Sequence, residues 1–413
     1  MKLIKLAGYN VLFVPTDSPL ATCRVMIGAG ASAELSAVPH GTAHYLEHMF
    51  FKGTKNRTHE ELKHEVALIG ESNAWTSHEA TCFHINTTGK NLAEAFDILS
   101  DQLFLPTFPD VELEKERNVI LEERATSQDS PSGVFFESTV AKLQGTEYAH
   151  TILGTPETIK QISREDLIKF RELYYTKNNM LFAFAGDLSQ LTEEFVESHL
   201  SKFETRDGLF NVPFSLSAPT DAWRDFSVTN FEHSSQQALV GIWMKGFSDD
   251  DVMNNGWKHS VFFSALGGGM HSLLFNRIRD ELGLVYSVSA SNNVLIGKNP
   301  VSLVFGMLNK DNANKFIDET YTLLEHIAEN GIDNTYMDSA YGTALFSAAK
   351  AGTSTFGGLG RAMGAFFQYD GDITRNTLEA QLEAMNSMDA RSIDCSKYAK
   401  EMMSSGCVTT LNV

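Results

Sequence analysis

His44, Glu47 and His48 fall within one pentad, His44-Tyr45-Leu46-Glu47-His48. On a helix, residues three and four apart emerge on or near one face, so both imidazoles and the carboxylate share it. Two neutral imidazoles at that spacing can ligate one metal ion, and a carboxylate between them can take a proton from an attacking water. That is the chemistry of a zinc hydrolase. The bland alternative is a pair of core histidines and a surface glutamate, since an H-x-x-E-H string is only moderately specific. Ala43, Tyr45, Leu46, Met49 and Phe50 make the surroundings apolar. A polar cluster buried there costs free energy unless its members bind something.

A catalytic zinc generally has three protein ligands and one open position. The third must come from another element, and the acidic run 111–124 is the candidate. Glu116 and Glu123 are seven apart, two turns along one face, with Val119 and Ile120 beside them, whereas Glu112 and Glu122 point elsewhere. An acidic helix is more often a solvated face than a source of ligands. By itself this stretch leaves the third ligand open.

The run Gly41-Thr42-Ala43-His44 to His48-Met49-Phe50-Phe51-Lys52-Gly53-Thr54, followed by Glu116-Arg117-Asn118-Val119-Ile120-Leu121-Glu122-Glu123, resembles the inverted-zincin peptidases of the pitrilysin and mitochondrial processing peptidase family. The family sets a ligand glutamate at a similar distance from its histidine pair; here 74 residues lie between His48 and Glu123. The resemblance implies one zinc ion per chain on His44, His48 and Glu123, with Glu47 as general base and Glu116 assisting from behind the ligands. It also implies peptide substrates. Asn73-Ala74-Trp75-Thr76 matches a family edge strand that pairs with the extended substrate backbone, which makes Asn73, Ala74 and Thr76 substrate-binding candidates. Read alone, the stretch is an ordinary structural strand.

Arg279 and Tyr286, seven apart in Arg279-Asp280-Glu281-Leu282-Gly283-Leu284-Val285-Tyr286, match a family passage in which such a pair binds substrate and stabilises the transition state. A guanidinium and a phenol suit a developing oxyanion. Without the resemblance they are an exposed helix residue and an ordinary strand residue. One departure is Ser272-Leu273-Leu274-Phe275, where many relatives carry Ser-Arg before Leu-Phe. It bears on the partner contacts of that helix rather than on the metal chemistry. Long relatives hold four such domains in one chain that closes on itself; two are expected here, so the resemblance implies that a closed chamber would need a second chain. A homodimer is expected because one chain carries both the zinc motif and the Arg-Tyr pair, and a heterodimer with a related subunit stays open.

The elements that must position these residues are legible in outline. A chain of 413 residues is too long for one ordinary core. Strands are expected at 10–15 and 21–28, a capped helix from Thr58 to Gly70, a hairpin at 73–86, and a helix over 92–103. The acidic helix follows Pro109, and a buried strand covers 179–186. Pro213, Pro219 and Gly208 mark a linker at 206–221. The second half repeats the order of the first without its metal ligands. We expect an α+β protein of two homologous αβ-roll domains of the LuxS and mitochondrial processing peptidase type, each a mostly antiparallel sheet with helices on one face. Residues 1–205 would form the catalytic domain and 222–413 its metal-free counterpart.

Composition narrows the partners. Apolar residues make up 43% and charged residues 21%, as in an ordinary globular protein. A net charge of −19 disfavours nucleic acid and anionic membrane, which need basic patches. No run of eighteen apolar residues exists, and the N-terminus lacks a sustained apolar signal region. Cys23, Cys82, Cys395 and Cys407 show no C-x-x-C spacing, so a reducing, cytoplasmic compartment is expected. The function expected is a zinc-dependent endopeptidase; the alternative is a non-catalytic binding or scaffold subunit of the same fold.

Overall fold

The computed structural model describes residues 1–35, 37–143, 149–203, 205, 227–247, 249–293, 301–353, 355–368, 371–373, 378–387 and 389–413. The linker expected at 206–221 lies outside them. The first half runs β1 (Lys2–Leu6), β2 (Tyr9–Pro15), β3 (Leu20–Ile27), α1 (Thr42–Met49), α2 (His59–Ile69), β4 (Glu71–Thr76), β5 (Thr81–Thr88), α3 (Leu92–Phe104), α4 (Asp110–Asp129), α5 (Pro131–Leu143), α6 (Pro156–Gln161), α7 (Arg164–Tyr174), β6 (Met180–Gly186) and α8 (Glu193–Leu200). The second half runs β7 (Val228–Phe231), β8 (Ala238–Lys245), α9 (Asp249–Gly267), β9 (Val285–Asn293), β10 (Val301–Leu308), α10 (Ala313–Asn330), α11 (Asn334–Thr353), α12 (Thr355–Gln368), α13 (Leu378–Asn386), α14 (Cys395–Met402) and β11 (Gly406–Leu411). A π-helical turn, Phe275–Glu281, precedes β9. Among the described residues no helix is long and apolar enough to cross a membrane.

Local chemistry sets several of these boundaries. Thr58 and Glu61 close a capping box at the start of α2, and Ser163 with Asp166 does the same for α7. In α4 the buried residues are Leu113, Glu116, Ile120 and Arg124, a stripe at helical spacing on an otherwise solvated rod.

The two sheets repeat one topology. The first has strand order β1-β2-β6-β3-β5-β4 and the second β7-β11-β8-β10-β9. In each, a parallel pair, β2 with β6 or β7 with β11, begins a sequence that continues through three antiparallel pairings. Only β1 lacks a counterpart among the described residues. This is the α+β duplication expected from the sequence.

The chain content of the units differs from the expected split. One compact unit holds Met1–Thr126, His150–Phe214 and Thr353–Thr374; the other holds Ser127–Ala149, Ser215–Gly352 and Arg375–Val413. Each unit therefore takes in a helix from the other half of the chain. The reason lies in the strands. All seven residues of β6 are buried, which a sheet covered on one face does not allow. The helices of the first half cover one face through Phe96, Leu99 and Phe170, packed against Phe182 and Phe184. On the other face Leu12, Met26, Leu181 and Ala183 pack against Leu359, Met363, Phe366 and Phe367 of α12. In the second unit, α5 packs Phe135 and Leu143 against Leu239, Trp243 and Leu411 in the same way. Helices thus cover both faces, where the sequence suggested one. Residues 355–364, rich in small side chains, form most of α12.

Candidate active site

α1 has eight residues, seven of them buried, too short to be stable without tertiary support. Its N-cap, Gly41, has φ 97° and no side chain to offer. The cap comes instead from Glu34, whose carboxylate accepts the Gly41 N–H at 2.9 Å and the Ala43 N–H at 2.8 Å. A carboxylate there also complements the positive end of the helix dipole. Two contacts away from the candidate ligands help tie α4 to α1. The Tyr45 hydroxyl donates to the Leu113 carbonyl, and the Arg117 guanidinium lies 5.5 Å from the Tyr45 ring centroid. Arg117 also donates to the Ile162 carbonyl at 2.9 Å.

These ties bring His44, His48 and Glu123 together. His44 Nε2 lies 3.7 Å and His48 Nε2 3.5 Å from the Glu123 carboxylate, and the three donor atoms all lie within 4.8 Å of one another. Among the described residues no other three His, Cys, Asp or Glu side chains converge in this way. His78 and His84 are not part of this cluster. Tetrahedral zinc bonds of about 2.0–2.2 Å set ligand atoms about 3.4 Å apart, close to the two histidine–carboxylate separations found here. The second nitrogen of His48 fits as well. Nδ1 is 3.0 Å from Glu116, leaving Nε2 turned to Glu123, and a ligating imidazole commonly donates its other N–H to a carboxylate. Two imidazoles and one carboxylate are a donor set that can hold zinc.

Charge is distributed unevenly over these groups. Burial, and then the neighbouring His48, push the His44 pKa down to about 4, so this ring is neutral. For His48 burial works the other way from its partners, but hydrogen bonds with Glu116 and Glu123 raise it to about 9. Burial also raises the Glu47 pKa, partly offset by the hydroxyl of Thr76 and by His48. A raised carboxyl suits a group that must take and return a proton near neutrality. Glu116 is held low against burial by His48 and Lys52, and Glu123 chiefly by its bond from His48.

The remaining sequence candidates are placed as follows. Asn73, Ala74 and Thr76 lie on β4, the terminal strand of the first sheet, which among the described residues pairs with β5 alone. The Thr76 side chain is engaged: its hydroxyl donates to Glu47, leaving its backbone for strand pairing. The Asn73 amide oxygen accepts the Ala74 N–H at 2.8 Å. Arg279 and Tyr286 meet in the second unit, the guanidinium carbon 6.0 Å from the Tyr286 ring centroid and 4.5 Å from that of Phe275. Tyr286 is 77% exposed. The sequence reading missed Glu34 as the cap of α1, Lys52 as a partner of Glu116, and Thr76 as a partner of Glu47. Glu116 sits in the inward stripe of α4, a signal available from periodicity alone.

Comparison with known proteins agrees with this reading at several levels. Residues 11–156 match the family profile for insulinase, peptidase family M16, and residues 161–341 match that of the peptidase M16 inactive domain. The chain is 31% identical over 276 residues to the uncharacterised zinc protease YmxG of Bacillus subtilis, covering 64% of this chain and 63% of that protein. It is 39% identical over 197 residues to the beta subunit of the human mitochondrial-processing peptidase, covering 47% of this chain and 39% of that subunit. The matched stretches thus span less than two thirds of these relatives. In fold, the crystal structure of a protease from Helicobacter pylori superposes with a TM-score of 0.84 at 22% identity, covering 100% of this chain and 99% of that one. With adjoining M16 profiles over both halves and a shared two-unit α+β fold, this chain belongs to peptidase family M16.

Proposed function

We propose that the chain is a zinc-dependent endopeptidase that cuts peptides or unfolded polypeptide segments. The observation that carries this reading is the convergence of His44 and His48 from α1 with Glu123 from α4, beside a buried Glu47. Those three side chains would hold one zinc ion per chain, whose Lewis acidity would lower the pKa of an attacking water. Glu47 accepts the proton of that water and later delivers it to the leaving amine. Thr76 holds one carboxylate oxygen of Glu47 and keeps the other free for this transfer. Glu116 fixes the orientation of His48 from behind.

Among the described residues β4 pairs on one side only, and its other edge suits an extended substrate backbone, for which Asn73, Ala74 and Thr76 are the substrate-binding candidates. Arg279 and Tyr286 enter the proposal as oxyanion and substrate contacts on the family resemblance. A chamber formed with a second copy of the chain is part of the same reading, because each copy brings both the histidine motif and the Arg-Tyr pair. A reducing, cytoplasmic setting accords with four buried cysteines, all in the free thiol form.

The test compares the intact chain with Glu47→Gln for metal content and for cleavage of a mixed peptide library. About one zinc per chain in both, with cleavage by the first alone, is the expected outcome. Zinc without cleavage in either would favour a binding or scaffold subunit; absence of zinc from the intact chain would overturn the site.

A further inference from the structure

Lys52, the first lysine beyond α1, has no part in the steps above. Its ammonium stands 2.5 Å from Oε1 of Glu116, while Oε2 of the same carboxylate is 3.0 Å from His48 Nδ1. One carboxylate thus bridges an ammonium and an imidazole, and the far nitrogen of that imidazole faces Glu123. The bridge is shielded, the Lys52 and Glu116 side chains being 16% and 8% exposed.

That shielding separates Lys52 from an ordinary surface ion pair, whose contribution is small. Without the ammonium, Glu116 would be a buried carboxylate with only an imidazole for company. Breaking a buried pair leaves an uncompensated charge, and the carboxylate must then find water or take a proton. In either case it no longer holds the plane of the His48 ring. Both carboxylate oxygens are engaged, one by each partner, so the Lys52 contact sets which rotamer Glu116 adopts.

We propose that Lys52 is a positioning residue that locks Glu116, and through it His48, in the orientation needed to retain the metal. This rests on the zinc-site reading above. The device is a three-member relay, ammonium to carboxylate to imidazole, that begins four residues after His48 and returns to it through α4.

The experiment uses the full chain as wild type, Lys52→Met, Lys52→Arg, Glu116→Gln and the Lys52→Met/Glu116→Gln double variant. Zinc affinity is measured against a competing chelator. Cobalt is substituted for zinc and its visible absorption recorded, which reads ligand geometry without turnover. Circular dichroism and thermal unfolding of the metal-free proteins establish folding; should Lys52→Met not fold, Lys52→Gln takes its place. Removal of an outer partner of a ligating histidine typically costs about 10–100-fold in metal affinity. For Lys52→Met we expect roughly tenfold weaker zinc, the low end of that range, with a shifted cobalt band. Lys52→Arg retains most of the affinity, and the double variant is no weaker than Glu116→Gln alone. Lys52→Met binding zinc within twofold of wild type with an unchanged cobalt band would overturn the relay, as would a double variant whose losses simply multiply. Failure of the wild type to bind zinc would overturn the site reading as well.

Discussion

The hydroxyl of Thr76 donates to Oε2 of Glu47, so a single hydrogen bond joins the candidate general base on α1 to the open edge strand of the sheet. Through it, the strand proposed to seat the substrate also sets the state of the base. Burial raises the Glu47 pKa and the Thr76 bond lowers it. Thr76→Val keeps the shape, removes the donor and lets that pKa rise further. The acid limb of kcat/KM should move to higher pH by about one to two units, since a hydrogen bond to a charged group is worth about 1.5–3 kcal/mol. Thr76→Ser should restore the original limb, and an unmoved limb in Thr76→Val would argue against Glu47 as the base.

Zinc affinity should depend on pH through His48. In the metal-free protein its pKa is raised to about 9, whereas His44 is neutral above about 4. A ligating imidazole must be unprotonated, so His48 releases a proton when metal binds. Between pH 6 and 9 affinity should climb by about tenfold per pH unit and then level off. Calorimetry in buffers of different ionisation enthalpy measures the proton released. The same shift makes the metal-free fold gain from His48 below its ordinary value of 6.5, a gain lost as pH rises through about 9.

Glu34 should matter to stability and to the site together. It is buried and accepts two N–H groups at the start of α1, just before His44. Glu34→Ala leaves both donors unsatisfied in a dry environment, at a cost of about 1–3 kcal/mol for each. Urea unfolding should register that loss, and zinc affinity should fall because the first turn of α1 carries His44. Glu34→Gln, which keeps one acceptor, should lie between the two.

Phe367 tests the second face of the first sheet. It is 1% exposed and packs in the cluster that α12 forms on Leu12, Leu181 and Ala183. Phe367→Ala should destabilise the protein by about 3–5 kcal/mol, while zinc affinity in the folded state stays unchanged. Gly28→Ala should disturb the same packing, since a Cβ there would fall 2.7 Å from the Phe367 ring. Denaturant unfolding with and without bound zinc separates the two effects.

The spacing of His44, Glu47 and His48 is a property of the chain alone. Once those residues are helical, the 3.6-residue period puts them on one face whatever surrounds them. The same holds for Glu116 and Glu123, for the capping boxes at Thr58 and Ser163, and for the alternation of the strands, because each depends on neighbours within a few positions. Family resemblance then singled out Glu123 from among several carboxylates. What no local pattern carries is which surfaces meet. The bonds of Glu34 to Gly41, of Thr76 to Glu47 and of Lys52 to Glu116 join segments separated in sequence, and each exists only because packed faces bring the partners within reach. The exchange of α5 and α12 between the units has the same origin. A fully buried strand such as β6 requires cover on both sides, but the strand does not name the helix that supplies it. That choice follows from shape and volume across the whole core, which only the tertiary structure decides.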